Sequence, residues 1–95
     1  MLLTSGPIDE KTETLGLVFA MGASVAEGCS DQINAIAAYQ NANNELKKLA
    51  KEMNADAIVC INYQNRNAVS NSCGSRGKQV FEVYAWGTAV RFVKT

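Results

Sequence analysis

YQNANNELKKLAKEMNADAIVCI, residues Tyr39 to Ile61, is where a helix gives way to a strand. Tyr39, Ala42, Leu46, Leu49 and Met53 recur at alternating three- and four-residue spacing, and Ile36 and Ala50 widen the stripe. That is the period of a helix with one apolar face. Asn54 offers a left-handed stop where glycine is more usual. Ala57, Val59, Ile61 and Tyr63 then alternate with Ile58 and Cys60, a strand with two apolar faces.

Working back from the junction, Asp31 to Asn54 holds neither glycine nor proline, and Ser30 or Asp31 is the expected N-cap. Lys47, Lys48, Lys51 and Glu52 read as a solvated face. The lysines suit the negative end of the helix dipole, and Glu45 can pair with Lys48 three residues on. Gly22 to Gly28 is a small-residue connector. Leu15 to Met21 is the first firm strand, with Leu15, Leu17, Phe19 and Met21 on one face and Gly16, Val18 and Ala20 on the other; both faces are apolar, so both should be covered. Met1 to Thr4 suits a short edge strand, Ser5-Gly6-Pro7 a turn, and Ile8 to Glu13 a charged connector.

Beyond the junction, Asn62 to Lys78 (NYQNRNAVSNSCGSRGK) reads as a long loop, rich in Asn, Ser and Gly. It carries Arg66, Arg76 and Lys78 and no acid. Gln79 to Val93 is the last and longest strand, with a bend expected near Gly87. The outcome is a single α+β domain over residues 1–95, β-α-β-β. It has a three-stranded mixed sheet in the order 1-3-2 and one long helix on one face. The helical crossover makes the first two strands parallel, and the third returns antiparallel between them.

One helix covers one face of such a sheet. On the last strand Phe81, Val83, Ala85, Gly87 and Ala89 share a face whose small centre admits a helix. Val80, Tyr84, Trp86, Val90 and Phe92 share the other, interrupted by Glu82 and Thr88. Exposed rings of this kind mark partner surfaces. A homo-oligomer is therefore expected, with the aromatic face or the strand edges in the contacts and Tyr84, Trp86, Val90, Phe92 and Glu82 as the interface residues. Glu82 would pair with a basic group across a subunit boundary.

Composition narrows the chemistry. Hydrophobic residues make up 47% of the 95-residue chain and the formal net charge is zero. Neither disorder nor a general attraction to nucleic acid or anionic membrane is expected. No run approaches the ~20 apolar residues of a membrane span, and the first residues do not read as a signal peptide. Histidine is absent. That removes Ser-His and Cys-His nucleophile pairs and the usual general base. No GxxxxGK[ST] or GxGxxG run occurs. The three cysteines, Cys29, Cys60 and Cys73, are an odd number without a CxxC, which points to reduced thiols and a cytoplasmic setting. Cys60 reads as a core thiol. Cys29 and Cys73 are the candidates for a soft-metal site, which folding or symmetry would have to assemble.

Two stretches resemble the YbjQ-like family. Glu45 to Val59 (ELKKLAKEMNADAIV) is similar to its helix-then-strand signature, and Glu82 to Val90 (EVYAWGTAV) to its closing strand. Leu15-Gly16-Leu17-Val18 matches its opening strand more loosely. The resemblance implies a dodecin-like subunit that assembles as a ring, typically a pentamer, under the label "putative heavy-metal-binding domain". The chain departs from the family in three places. It lacks the Gly-Gly-Arg stretch found before the long helix in many members. It has Gly22 to Ser30 in place of Gly-Glu after the first strand. It has Cys60 where many members carry Gly.

The expected function is a non-enzymatic oligomeric binding module, holding a small ligand or soft metal ion at subunit boundaries, with no cofactor. The alternative is a protein or nucleic-acid adaptor using the basic loop 65–78 repeated around a ring.

Overall fold

The computed structural model describes residues 1–25, 34–70 and 78–93. Its elements are β1 (Leu2–Leu3), β2 (Thr12–Val25), α1 (Ala35–Glu52), β3 (Ala57–Ser70) and β4 (Lys78–Phe92). They form one sheet in the order β1-β3-β4-β2. The class is α+β with one helix and a mixed sheet, and the last strand is central, as expected. The sheet has four strands, not three, because the short edge strand read at Met1 to Thr4 forms over Leu2–Leu3 and joins it. The N-terminal residues add a fourth strand by pairing parallel to β3, Leu2 opposite Ala57 and Leu3 opposite Ile58. β4 runs antiparallel to both β2 and β3.

The loop expected over Asn62 to Lys78 is mostly strand. β3 continues to Ser70, with Asn62 opposite Trp86 and Ser70 opposite Lys78. Asparagine and serine disfavour strands intrinsically, but a long partner strand overrides that preference on a solvated edge. Residues 62–67 are all exposed, which suits their polarity. β2 likewise outruns its expected end at Met21 and pairs as far as Val25 opposite Val80.

A bulge resets the faces of β3. Val59 lies opposite Thr88 and Asn62 opposite Trp86, so Cys60 and Ile61 together oppose the single residue Gly87. Cys60 has φ 55°, the left-handed conformation of the first residue in such a bulge. The extra residue breaks the alternation. Ile58 and Ile61 both join the core, while Cys60 is exposed, not the core thiol expected from alternation. Gly87 has to be small, since a Cβ there would lie 2.8 Å from Ile58 Cγ2 and 3.0 Å from Ile61 Cγ1.

Helix α1 is capped at both ends. Asn34 is the N-cap, and its side chain accepts from the Ala37 N–H at 3.0 Å. The caps expected at Ser30 or Asp31 lie outside the described residues. At the other end Asn54 has φ 60°. Its N–H donates to the Lys51 carbonyl and that of Ala55 to the Ala50 carbonyl, both at 3.0 Å, closing a Schellman motif. The buried stripe is Ala38, Ala42, Leu46 and Ala50, rotated from the predicted one. Tyr39, Leu49 and Met53 flank it, and Ile36 is 70% exposed. Small residues take the centre because the helix lies close on β2. A Cβ on Gly22 would collide with the Ala38 carbonyl oxygen and the Ala42 nitrogen. The core is closed from the sheet side by Val18, Ile58, Ile61, Val83, Ala85 and Ala89.

Candidate ligand and partner surfaces

The helix fixes which side chains face it. Gly22 lies beneath it and Val18 is buried, so Leu17, Phe19 and Met21 point to the opposite side of β2. On β4, Val83, Ala85 and Ala89 are buried with the helix, which turns Glu82, Tyr84 and Trp86 the other way. The register sets Phe19 opposite Trp86 and Met21 opposite Tyr84. Leu17, Phe19 and Met21 are 64%, 63% and 51% exposed. The open face is therefore apolar on two adjacent strands. Sequence reasoning placed it on β4 alone, because it expected cover on both faces of β2.

The five interface candidates fall in different places. Tyr84, Trp86 and Phe92 are half-buried on β4. Val90 is buried within the chain, between Thr14 of β2 and Ala57 of β3, and is not available to a partner. Glu82 lies directly opposite Arg66, and its basic partner comes from its own chain. Arg66 donates through Nε to Glu82 Oε1 at 3.2 Å, and its Nη2 lies 3.2 Å from the same oxygen as an ion pair. The Tyr84 hydroxyl donates to Oε2 at 2.8 Å. The partner was hidden because Arg66 was read as loop. The Tyr84 hydrogen bond, aided by the Arg66 hydrogen bond and charge, holds the Glu82 carboxyl below its ordinary range despite desolvation. The same bond to Glu82 is the main reason the Tyr84 hydroxyl is raised.

A second cluster lies on the helix side, over β3. Tyr39 meets Tyr63 edge-on, with ring centroids 5.4 Å apart, and lies 6.1 Å from Phe81. The Tyr63 hydroxyl donates to Asn43 Oδ1 at 2.6 Å, and Asn65 Nδ2 donates to the Tyr39 hydroxyl at 2.9 Å. These bonds tie the extended part of β3 to the helix. Only a strand reading of Asn62 to Asn67 would have exposed them in the sequence. Beside this cluster, Leu3, Thr4, Ser5, Ile61 and Tyr63 line a pocket of about 70 Å³. Small-molecule sites run to ~300–1,000 Å³, so this one is too small for an organic ligand.

Cys29 and Cys73 lie outside the described residues. Among the described residues no three His, Cys, Asp or Glu side chains converge, and Cys60 is a lone exposed thiol. Nor is any helix among them long and apolar enough to cross a membrane.

These features define a class: a small α+β module in which the described residues form one helix on a mixed sheet whose other face is apolar and exposed. The chain belongs to the YbjQ family described as "Putative heavy-metal-binding", whose model matches residues 7–93. It is similar in fold to the crystal structure of a protein of unknown function from Pediococcus pentosaceus, a member of the DUF74 family. The TM-score is 0.81 at 21% identity over 98% of both chains. No curated protein matches it.

Proposed function

We propose that the protein is a non-enzymatic, homo-oligomeric binding module that holds a small ligand or a soft metal ion at its subunit boundaries. The observation that carries this reading is the open face, with Leu17, Phe19 and Met21 each more than half exposed beside Trp86 and Tyr84. A face of that kind is stable in water when a partner covers it. The single-chain pocket is too small for an organic ligand, which favours a site built between copies. Five copies is the ring size that the family resemblance implies. The family description favours a metal as cargo, and repetition of Cys29, Cys60 and Cys73 around a ring would supply thiolates for zinc or copper(I). A cytoplasmic setting agrees with the odd, reduced cysteine count.

The adaptor reading has a weaker basis. Arg66, one of its three cations, is engaged by Glu82 in the same chain.

Native mass spectrometry of protein purified without chelator tests the proposal. The expected spectrum is a multiple of the 10.2 kDa subunit, with additional mass that denaturation releases. A single-chain mass overturns the oligomeric reading. Calorimetry with zinc and copper(I) tests the metal version, which is lost if neither binds above background.

A further inference from the structure

Tyr39 and Asn43 stand one turn apart on α1, and Tyr63 and Asn65 stand two residues apart on β3, so each pair shares a face of its own element. The two pairs meet on the helix side of the sheet, through the Tyr63–Asn43 and Asn65–Tyr39 hydrogen bonds. Tyr63 carries this surface on to the N-terminal residues, because it lines the small pocket together with Thr4 and Ser5. That segment is fastened to β3. The Thr4 N–H donates to Ile58 O and the Ile61 N–H to Thr4 O, both at 3.0 Å. The Gly6 N–H donates to Thr4 Oγ1 at 3.2 Å. The six side chains are thus held in place before any ligand arrives, which lowers the ordering cost of binding.

Their hydrogen-bonding capacity is only partly spent. Among the described residues, the Tyr39 hydroxyl accepts one bond and keeps its own hydrogen, and Asn43 keeps both amide hydrogens. Asn65 keeps its side-chain carbonyl oxygen and one amide hydrogen. Thr4 keeps its hydroxyl hydrogen, and Ser5 its whole hydroxyl. The Tyr63 ring, common to both polar groups, is 39% exposed.

Chemistry selects the ligand. None of the six side chains is charged, so an anion or a cation would shed water here without a counter-charge. A wholly apolar ligand would strip water from the amides and hydroxyls and leave them unpaired. What fits is a neutral molecule with one apolar surface and a rim of groups that both donate and accept. A sugar ring has both. Its C–H bonds form an apolar face for an aromatic ring, and its hydroxyls match amides and hydroxyls in either direction. The pocket of about 70 Å³ holds no sugar ring, but it admits a single hydroxyl or hydroxymethyl arm.

We propose that this surface binds a neutral saccharide, which lays its C–H face on the Tyr63 ring and exchanges hydrogen bonds with Asn43 and Asn65 on one side and the Thr4 and Ser5 hydroxyls on the other. The site lies across the sheet from Phe19, Met21 and Trp86. It therefore goes beyond the subunit-boundary reading and stands whether or not copies assemble.

The test titrates the ¹⁵N-labelled full chain with uncharged sugars, namely glucose, galactose, mannose, N-acetylglucosamine and their disaccharides, to tens of millimolar. Backbone and asparagine side-chain amide signals are followed. At least one sugar should saturably shift the Asn43 and Asn65 side-chain amides and the Thr4, Ser5 and Tyr63 backbone signals. Tyr63→Ala and Asn43→Ala should each weaken that sugar about tenfold, through a lost ring contact and lost hydrogen bonds respectively. Alanine favours the helix, so Asn43→Ala keeps the fold even if Tyr63→Ala does not. Arg66→Ala, on the opposite face, should bind as wild type does. No saturable shift from any sugar, shifts confined to the opposite face, or full affinity in Asn43→Ala overturns the proposal. A response to a neutral proline-rich peptide and to no sugar overturns it in favour of a peptide groove.

Discussion

Cys60 holds a backbone conformation that an ordinary side chain resists. A residue with a Cβ in the left-handed region costs roughly 1–2 kcal/mol, which glycine avoids. Replacing Cys60 with Gly should therefore raise stability by about 1 kcal/mol in urea unfolding, with the slope unchanged. A loss of stability would mean that the exposed thiol makes contacts that outweigh the strain. This residue also shows where legibility ended. Alternation put Cys60 in the core because a bulge has no signature when its left-handed residue is not glycine. The resemblance held the missing signal, since many relatives carry Gly at this position. Glu82 is the second residue with a testable consequence. Its carboxyl is lowered in the folded chain by Tyr84 first and then by Arg66. A lowered carboxyl contributes stability above its unfolded value, and loses it as pH falls through the folded one. The stability difference between wild type and Glu82→Gln should hold steady near neutrality and shrink on acidification below the ordinary carboxylate range. A difference independent of pH would mean that Glu82 gains nothing from its charge. For Tyr84 the sign reverses. Its raised hydroxyl contributes below the ordinary tyrosine value, and that contribution fades as pH climbs through the folded value.

At the scale of elements, the helix was legible and its rotation was not. Periodicity found α1, Asn54 ended it as expected, and Leu46 is fully buried. The stripe was drawn toward its largest residues, Tyr39, Leu49 and Met53, whereas the close approach to Gly22 demands the smallest ones. Leu46→Ala should accordingly cost ~3–5 kcal/mol, and the half-buried Leu49→Ala about 1–2 kcal/mol. Equal losses in chemical denaturation would argue for the predicted stripe. Gly22→Ala adds a methyl against helix backbone, which cannot step aside as a side-chain tip would. It should cost at least ~1–3 kcal/mol and weaken the helical signal in circular dichroism before the sheet melts. An unchanged melting curve would show that the helix tolerates a larger separation. The strand ends were poorly legible for a different reason. Asn62 to Ser70 lacks strand propensity, and its pairing comes from the length of β4, information that no window around those residues contains. The polar ties from Tyr63 to Asn43 and from Asn65 to Tyr39 became visible only with that pairing.

The whole molecule is longer than its residue count requires. Its radius of gyration is 16.5 Å, against about 12–13 Å for a compact domain of this length. A narrow sheet with one helix cannot fold back over its own second face. The need for an uncovered face was legible in the alternation of β4, and the central place of that strand in its length. The contribution of β2 was not legible, because both of its apolar faces were expected to be covered and the alternation does not say by what. The family match and the shared fold agree with the resemblance read from Glu45 to Val59 and Glu82 to Val90. The central claim is that the open face is a contact between copies. Sedimentation over a wide concentration range, on wild type and on Phe19→Lys, tests it most directly. Phe19 is already exposed in the single chain, so the substitution should leave the fold intact. The account predicts a discrete oligomer for wild type and a shift toward the 10.2 kDa chain for Phe19→Lys, with unchanged circular dichroism. A wild type that sediments as a single chain at every concentration would contradict it.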